Sequence, residues 1–163
     1  MKRIEVKGVK IYPFKSPEEL IGFVEVQKGI LVAINAEKIL HATDQTRDII
    51  NRNIGYCDGV GAVMALKKKG CTEVVKIPGC ELWLKIVEAW YKKGKSFYLA
   101  GSRPEVIEAT VNRLLKDYPG VNLLFGASSH EFFQNEESRS HTARRFGKGN
   151  WYEQQGTHKY HFS

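Results

Sequence analysis

The residue that points most directly to chemistry is Asp58, which follows the segment Ile-Gly-Tyr-Cys and precedes Gly-Val-Gly. A carboxylate at the end of a strand, with little side-chain bulk beside it, can accept a proton from a hydroxyl nucleophile. Asp58 could instead cap the helix that follows it, a role that Asp often fills. From residue type alone the cap is favoured by about two to one, because such caps are common.

Two other segments place polar groups directly after an apolar run. Gly101-Ser102-Arg103 leads into a helix that starts at Pro104, where backbone N–H groups can hold a phosphate and Arg103 adds positive charge. There is no G-x-G-x-x-G or Walker lysine motif, so an ordinary turn explains these residues equally well. Asn35 could hydrogen-bond a ligand or cap a helix over residues 36–42, and residue type alone favours the cap.

Strands and helices that alternate along the chain must position these residues. Apolar runs bounded by turn residues predict a short hairpin around Gly8 and then five buried strands, over residues 30–34, 54–57, 74–77, 97–100 and 121–125. Capping signals and helical periodicity predict helices after Ser16, over 36–42 and 44–51, and before Gly70, Gly94 and Pro119. This alternation is typical of an α/β, Rossmann-like fold with a parallel sheet covered by helices on both faces.

In such sheets ligands bind outside the carboxyl ends of the strands, because loops and helix N-termini converge there. The predicted strands lead into Asn35, Asp58, Pro78-Gly79, the 101–103 turn and Gly126. We therefore expect these residues to lie along one edge of the sheet and to form a ligand cleft.

The apolar faces of two helices are predicted to be buried. The first face carries Val60, Val63 and Met64, and the second carries Leu82, Trp83, Ile86, Val87, Trp90 and Tyr91. Aromatic residues at helical spacing are more typical of a core than of a sugar-binding surface, and Lys67-Lys68-Lys69 is more typical of a solvated helix end than of a nucleic-acid contact.

The composition limits the class of protein. A net charge of +7 favours anionic partners, such as nucleotide phosphates, nucleic acid or an anionic membrane surface, without choosing among them. Three cysteines without a C-x-x-C pair suggest neither a disulfide framework nor a thiol-rich zinc site, and they fit a reducing compartment. With no apolar run long enough to span a bilayer and no signal peptide, we expect a cytoplasmic protein.

The chain divides into two unequal parts, a predicted domain over residues 1–126 and a tail over residues 127–163. The tail contains no Ile, Leu, Val or Met and holds four of the five histidines. A segment without branched aliphatic side chains contributes little to a close-packed core, so we expect the tail to be irregular or disordered.

Four segments of the chain, in this order and spacing, resemble the WecG/TagA/CpsF glycosyltransferases. They are Leu-Val-Ala-Ile-Asn-Ala-Glu-Lys from Leu31, Cys-Asp-Gly-Val-Gly from Cys57, Lys-Ile-Pro-Gly-Cys-Glu-Leu-Trp from Lys76 and Phe-Tyr-Leu-Ala-Gly-Ser-Arg-Pro-Glu from Phe97. The resemblance covers roughly residues 20 to 133. Ala-Ile-Asn-Ala-Glu-Lys is most similar to the N-acetylmannosaminuronic acid transferases of enterobacterial common antigen synthesis.

The resemblance implies an inverting glycosyltransferase of bacterial surface polysaccharide synthesis that needs no metal or cofactor. Its donor would be a UDP-activated N-acetylmannosamine-type sugar and its acceptor an undecaprenyl-diphosphate-linked N-acetylglucosamine, reached at the cytoplasmic face of the membrane. Asp58 corresponds to the family's proposed general base and Asn35 to a polar residue that shapes the site, which moves the balance for Asp58 from cap to base. The resemblance and the strand ends together assign substrate binding to Lys76, Gly79, Gly101, Ser102 and Arg103.

The chain departs from the family in several places. Lys76 stands where many members carry Arg, and lysine lacks the planar, two-pronged contact with phosphate. Ala33 stands where some relatives have Thr, and Glu131 where Gly is usual. Nothing after Phe133 resembles the family's final helix, strand and Ser-Pro-Lys-Gln-Glu-type loop, so we expect a truncated gene or a shifted reading frame. An incomplete sheet would expose apolar surface and promote self-association into homo-oligomers.

Two other functions stay open on the sequence alone. One is a catalytically inactive remnant that at most binds a UDP-sugar. The other is a basic nucleic-acid-binding protein whose aromatic tail stacks on single strands. The tail lacks regular R-G-G or aromatic repeats, so nucleic-acid binding ranks last and we expect no nucleic-acid partner.

Overall fold

The computed structural model describes residues 1–127, and the α/β fold class is confirmed. In chain order the elements are β1 (Ile4–Val6), β2 (Val9–Ile11), α1 (Pro17–Val26), β3 (Leu31–Ile34), α2 (Ala36–His41), α3 (Asp44–Asn51), β4 (Ile54–Cys57), α4 (Val60–Lys68), α5 (Gly79–Tyr91), β5 (Ser96–Ala100), α6 (Pro104–Asp117) and β6 (Asn122–Ala127). The chain forms two compact units, residues 1–89 and a second unit that begins at Trp90. The predicted domain boundary near residue 126 lies at the edge of the described residues and stays a prediction.

The predicted N-terminal hairpin is present. β1 and β2 pair antiparallel, and Val6 lies opposite Val9 across a two-residue turn. Both turn residues have a positive φ, 49° at Lys7 and 80° at Gly8. Such turns match the twist of the two strands, and glycine adopts this backbone conformation without a steric penalty.

The first unit contains the parallel pair β3–β4, in which Ala33 lies opposite Tyr56 and Ile34 opposite Cys57. On its other side β4 is bridged by the segment after β2, whose Tyr12 N–H donates to the Gly55 carbonyl at 2.8 Å. β4 is therefore an inner strand of this unit. All four of its residues are buried.

A cluster of buried side chains from β2, β3, β4, the helices α2, α3 and α4 and the segments that follow α2 and α4 forms the core of the first unit. Its members are Val9, Ile11, Ile34, Ile39, Ala42, Ile50, Cys57, Ala62, Leu66 and Val74. Full burial of a Val, Leu or Ile side chain stabilises a fold by about 1.5–3 kcal/mol. Because Cys57 points into this core, its neighbour Tyr56 points to the opposite face of the strand.

The predicted strand over residues 74–77 is wrong. The segment is extended but forms no ladder with a neighbouring strand. It makes two separate backbone contacts, from the Val75 N–H to the Phe14 carbonyl at 3.1 Å and from the Ile77 N–H to the Cys57 carbonyl at 2.7 Å. Val74 and Ile77 are buried, at 3% and 1% exposure, although the segment is not part of a sheet. Their burial explains why the segment is apolar.

The buried faces of two helices also differ from the prediction. In α4, Val60 and Met64 are exposed, whereas Ala62 and Leu66 on the opposite side of the helix are fully buried. The start of α4 packs closely against α2, since a Cβ at Gly61 would lie 2.7 Å from the Ala36 Cβ. In α5, Leu82 and Val87 are buried as predicted, but Trp83 is 39% exposed.

The second unit contains the parallel pair β5–β6, connected by α6. Four of its apolar side chains are buried, those of Phe97, Leu114, Val121 and Leu123. The Tyr91 hydroxyl donates to the Pro119 carbonyl at 2.6 Å and so fixes the turn between α6 and β6. The strand–helix–strand order predicted for this region is confirmed.

The predicted irregular tail, residues 127–163, lies outside the described residues except for its first position. Within residues 1–127, no helix is long and apolar enough to cross a membrane. In the same range, no three His, Cys, Asp or Glu side chains come together in a group that could hold a metal ion.

Candidate active site

Asp58 is half-buried and lies directly after β4, at the carboxyl end of the β3–β4 pair. Its backbone N–H donates to the Ile34 carbonyl at 2.9 Å, which fastens the loop to the end of β3. Its side-chain Oδ1 accepts a 2.7 Å hydrogen bond from the N–H of Gly79, the first residue of α5. Within residues 1–127, Oδ2 has no hydrogen-bond partner. The fold therefore anchors one carboxylate oxygen and leaves the other able to accept a proton.

This geometry corrects one of the two roles considered for Asp58. The N-cap of α4 is Gly59, and no side chain hydrogen-bonds to this helix start. Asp58 instead accepts from the N-terminus of α5, 21 positions away in the sequence. The segment before α5 runs past the end of β4, as the bond from Ile77 to Cys57 shows, and this brings the Gly79 N–H to the carboxylate. The alternative in which Asp58 caps the following helix is therefore wrong.

Gly79, one of the predicted substrate-binding residues, lies directly beside Asp58. A Cβ at position 79 would lie 3.0 Å from the Tyr56 hydroxyl, 3.5 Å from Asp58 Oδ1 and 4.0 Å from the Ala33 Cβ. A contact of 3.0 Å is shorter than an ordinary van der Waals separation. The missing side chain therefore leaves room for the Tyr56 hydroxyl and the Asp58 carboxylate to face the same space.

Sequence reasoning did not single out Tyr56. The side chain is only 4% exposed, and it lies opposite Ala33 in the parallel pair. Burial raises the pKa of the Tyr56 phenol above its ordinary value of 10.0, and the nearby Asp58 and Cys80 raise it further. The phenol consequently keeps its proton at neutral pH and is a hydrogen-bond donor. Tyr56 and Asp58 are two positions apart, and alternate residues of a strand share a face. This spacing could have indicated that the two side chains lie on the same side.

Asn35 is the N-cap of α2, which is one of the two roles predicted for it. Its Oδ1 accepts a 2.9 Å hydrogen bond from the Lys38 N–H. The loop after β4 packs directly on this helix start, since a Cβ at Gly59 would lie 3.1 Å from the Asn35 Cβ. A Cβ at Gly61 would lie 2.7 Å from the Ala36 Cβ. Asn35 is thus held beside the Asp58-Gly59 loop, and its contact with substrate stays a prediction.

Lys76 lies on the extended segment that leads to Gly79, and its side chain is exposed. No carboxylate within residues 1–127 forms an ion pair with it. Its amine is therefore available to an anionic ligand, although phosphate binding by Lys76 stays a prediction.

The turn Gly101-Ser102-Arg103 lies in the second unit, between β5 and α6. Gly101 and Ser102 both have a positive φ, 125° and 61°, and a non-glycine residue adopts this conformation only when its surroundings impose it. Arg103 is the N-cap of α6 but makes no side-chain cap bond, and its guanidinium lies 3.7 Å from the exposed Glu105 carboxylate. The turn has the form of an anion-binding helix start, and its role in substrate binding stays a prediction.

The fold and this site define an α/β enzyme that presents an anchored carboxylate, beside a buried phenol, at the carboxyl end of a parallel strand pair. A comparison with protein-family models matches residues 4–146 to the glycosyl transferase WecG/TagA/CpsF family. The chain therefore belongs to the WecG/TagA/CpsF glycosyltransferases, hexosyltransferases that transfer sugars in surface polysaccharide synthesis. The match extends beyond the predicted range of 20 to 133 at both ends, and it includes residues 134–146, which sequence reasoning had assigned to a tail unlike the family.

Proposed function

We propose that this glycosyltransferase moves an N-acetylmannosamine-type sugar from a UDP donor to an undecaprenyl-diphosphate-linked N-acetylglucosamine, with Asp58 as the general base. One observation carries the assignment of Asp58. Its Oδ1 is fixed by the Gly79 N–H at 2.7 Å, while its Oδ2 has no partner within residues 1–127. A general base needs a fixed position and an open lone pair, and Asp58 has both.

In the proposed reaction, the acceptor hydroxyl attacks the anomeric carbon of the donor from the face opposite to UDP. The new carbon–oxygen bond forms as the bond between this carbon and the diphosphate oxygen breaks, and UDP leaves with that electron pair. The proton of the attacking hydroxyl passes to Asp58 Oδ2. A single displacement of this kind inverts the configuration of the anomeric carbon.

The donor diphosphate requires positive charge or backbone N–H groups. We assign this role to Lys76. Separately, we propose that Gly101, Ser102 and Arg103 bind substrate. Lys76 is exposed and without an ion pair in the described part of the chain, and the turn offers the start of a 14-residue helix together with an arginine. We assign Asn35 to the wall of the site, because its backbone and side chain pack against the Asp58-Gly59 loop.

The acceptor would be reached at the cytoplasmic face of the membrane. Its lipid is inserted in the bilayer while its sugar and diphosphate lie in water. The net charge of +7 favours a peripheral contact with an anionic membrane surface.

The proposal is tested by incubating the purified chain with labelled UDP-sugars and a lipid-diphosphate N-acetylglucosamine acceptor, with and without detergent. The variant Asp58→Asn keeps the size of the side chain but accepts a proton far less readily, and we expect its kcat to fall by about 10²–10⁴-fold. Asp48→Asn is a matched control, because Asp48 lies in an exposed ion pair with Arg52. Its kcat should stay within twofold of the unaltered chain.

Calorimetric titration with UDP separates the two parts of the proposal. UDP binding without transfer to any acceptor would indicate an inactive chain that retains a nucleotide site. Full turnover by Asp58→Asn would remove Asp58 from the mechanism.

A further inference from the structure

A second polar group faces the same space as the Asp58 carboxylate. The Tyr56 side chain is 4% exposed, yet its hydroxyl has no hydrogen-bond partner within residues 1–127. Within residues 1–127 only Arg47 Nε and Trp90 Nε1 are side-chain atoms that are both buried and unpaired, so the unpaired Tyr56 hydroxyl reaches solvent although the rest of its side chain is buried. A hydroxyl that reaches solvent from an otherwise buried ring is held in place and is open to a hydrogen bond with a ligand.

The position of this hydroxyl relates it to the reacting groups. The Tyr56 hydroxyl and Asp58 Oδ1 both lie within 3.5 Å of the point where a Cβ of Gly79 would be. Both oxygens consequently face one small space at the N-terminus of α5. A substrate oxygen that reaches Asp58 brings the neighbouring atoms of the same sugar ring within reach of Tyr56.

We infer that Tyr56 is an acceptor-binding residue: its hydroxyl donates a hydrogen bond to a sugar hydroxyl next to the one that Asp58 deprotonates. The inference rests on the proposed function, because it takes Asp58 as the base for the acceptor. It adds a contact that selects which ring hydroxyl attacks. Two adjacent hydroxyls of one sugar are bound by two different groups, a carboxylate that accepts and a phenol that donates.

The chemistry of the two protein groups agrees with this division of roles. Burial and the neighbouring Asp58 raise the pKa of the Tyr56 phenol, so it is a donor throughout the neutral range. A carboxylate only accepts, whereas a sugar hydroxyl both donates and accepts. A site built to hydrogen-bond a substrate hydroxyl discriminates strongly against an analogue that lacks it, because the protein group is then left unpaired.

The experiment compares the unaltered chain with Tyr56→Phe on a set of acceptors. The set contains the lipid-diphosphate N-acetylglucosamine and analogues that each lack one ring hydroxyl. Tyr56→Phe removes only the hydroxyl and keeps the buried ring. Tyr12→Phe is the matched control, because the Tyr12 ring packs against Phe14 and Phe23 in the same unit.

We expect Tyr56→Phe to lower kcat/KM on the complete acceptor about tenfold, equivalent to about 1.4 kcal/mol, and mainly through KM. On one of the singly deoxygenated acceptors, the unaltered chain and Tyr56→Phe should be equally active. The KM for the UDP-sugar should not change, and Tyr12→Phe should behave like the unaltered chain on every acceptor.

An equal loss on all acceptors would show a merely structural role for the Tyr56 hydroxyl, and an unchanged kcat/KM on the complete acceptor would also overturn the inference. If Tyr56→Phe does not fold, the rates of the unaltered chain on the acceptor analogues test the inference instead. If the unaltered chain transfers sugar at the same rate to every analogue that keeps the attacking hydroxyl, the proposed hydrogen bond from Tyr56 to the acceptor is refuted. No transfer by the unaltered chain to any acceptor overturns the proposed function together with this inference, whereas an active chain indifferent to Tyr56→Phe overturns the inference alone.

Discussion

The substitution Gly79→Ala tests the candidate active site by filling it with one methyl group. The new Cβ would lie 3.0 Å from the Tyr56 hydroxyl and 3.5 Å from Asp58 Oδ1. To restore normal contact distances, the hydroxyl and the carboxylate must move by several tenths of an ångström. A displacement approaching 1 Å at reacting groups costs roughly 100-fold in rate, so we expect kcat to fall about 10- to 100-fold.

The same substitution should leave folding almost unchanged. Position 79 starts α5, and Gly79 is not among the glycines with a positive φ. Alanine gains up to about 1 kcal/mol of helix propensity over glycine, and the crowding at Tyr56 offsets part of that gain. A thermal-unfolding midpoint within about 5 °C of that of the unaltered chain, measured by circular dichroism, is the expected result.

The control is Gly22→Ala in α1, an exposed position where a Cβ would meet no atom within 4 Å. It should raise the free energy of unfolding by about 0.5–1 kcal/mol and leave transfer unchanged. The double variant Gly79→Ala with Tyr56→Phe should be less impaired than the two single effects combined, because removal of the hydroxyl relieves the shortest contact. If Gly79→Ala transfers sugar at the rate of the unaltered chain, the assignment of this space to substrate is refuted.

Two further predictions concern stability and thiol chemistry. Asn35→Ala removes the N-cap of α2 and should lower the free energy of unfolding by about 1 kcal/mol in a urea titration; a change below 0.3 kcal/mol would contradict the cap. Burial raises the pKa of the Cys57 thiol to about 12, from 9.0 in the unfolded chain, so the unfolded state loses this proton first and the free energy of unfolding should fall as pH rises above 9. This slope should flatten in Cys57→Ala, and at pH 8 an aromatic disulfide reagent should label exposed Cys80 long before Cys57.

The element bounds followed from local signals in the sequence. Helix α3 begins and ends as predicted, and the predicted ends at Gly70 and Gly94 coincide with positive φ values of 92° and 63°. Turn and capping residues encode these features within a few positions of the chain. Apolar periodicity alone was less informative, since the run from Val74 to Ile77 is buried without being a strand.

The main contacts of the site could not be predicted because they join distant parts of the chain. The bond between Asp58 and the Gly79 N–H links the end of a strand to the start of a later helix, and nothing in the local residues specifies it. Gly79 was expected to follow a strand and to bind substrate, but its contact with Asp58 was not predicted. Its actual role is to leave space for Tyr56 and Asp58, which only the folded arrangement of three segments can show.

The tight packing of Gly59 and Gly61 against Asn35 and Ala36 restricts how this enzyme can be re-engineered. An added carbon would lie 3.1 Å from Asn35 Cβ at position 59 and 2.7 Å from Ala36 Cβ at position 61, so neither glycine can be replaced by a larger residue without separating α2 from α4. Libraries that aim at a new donor or acceptor should therefore leave Gly59 and Gly61 untouched. Diversity is better introduced at Lys76, whose side chain is exposed.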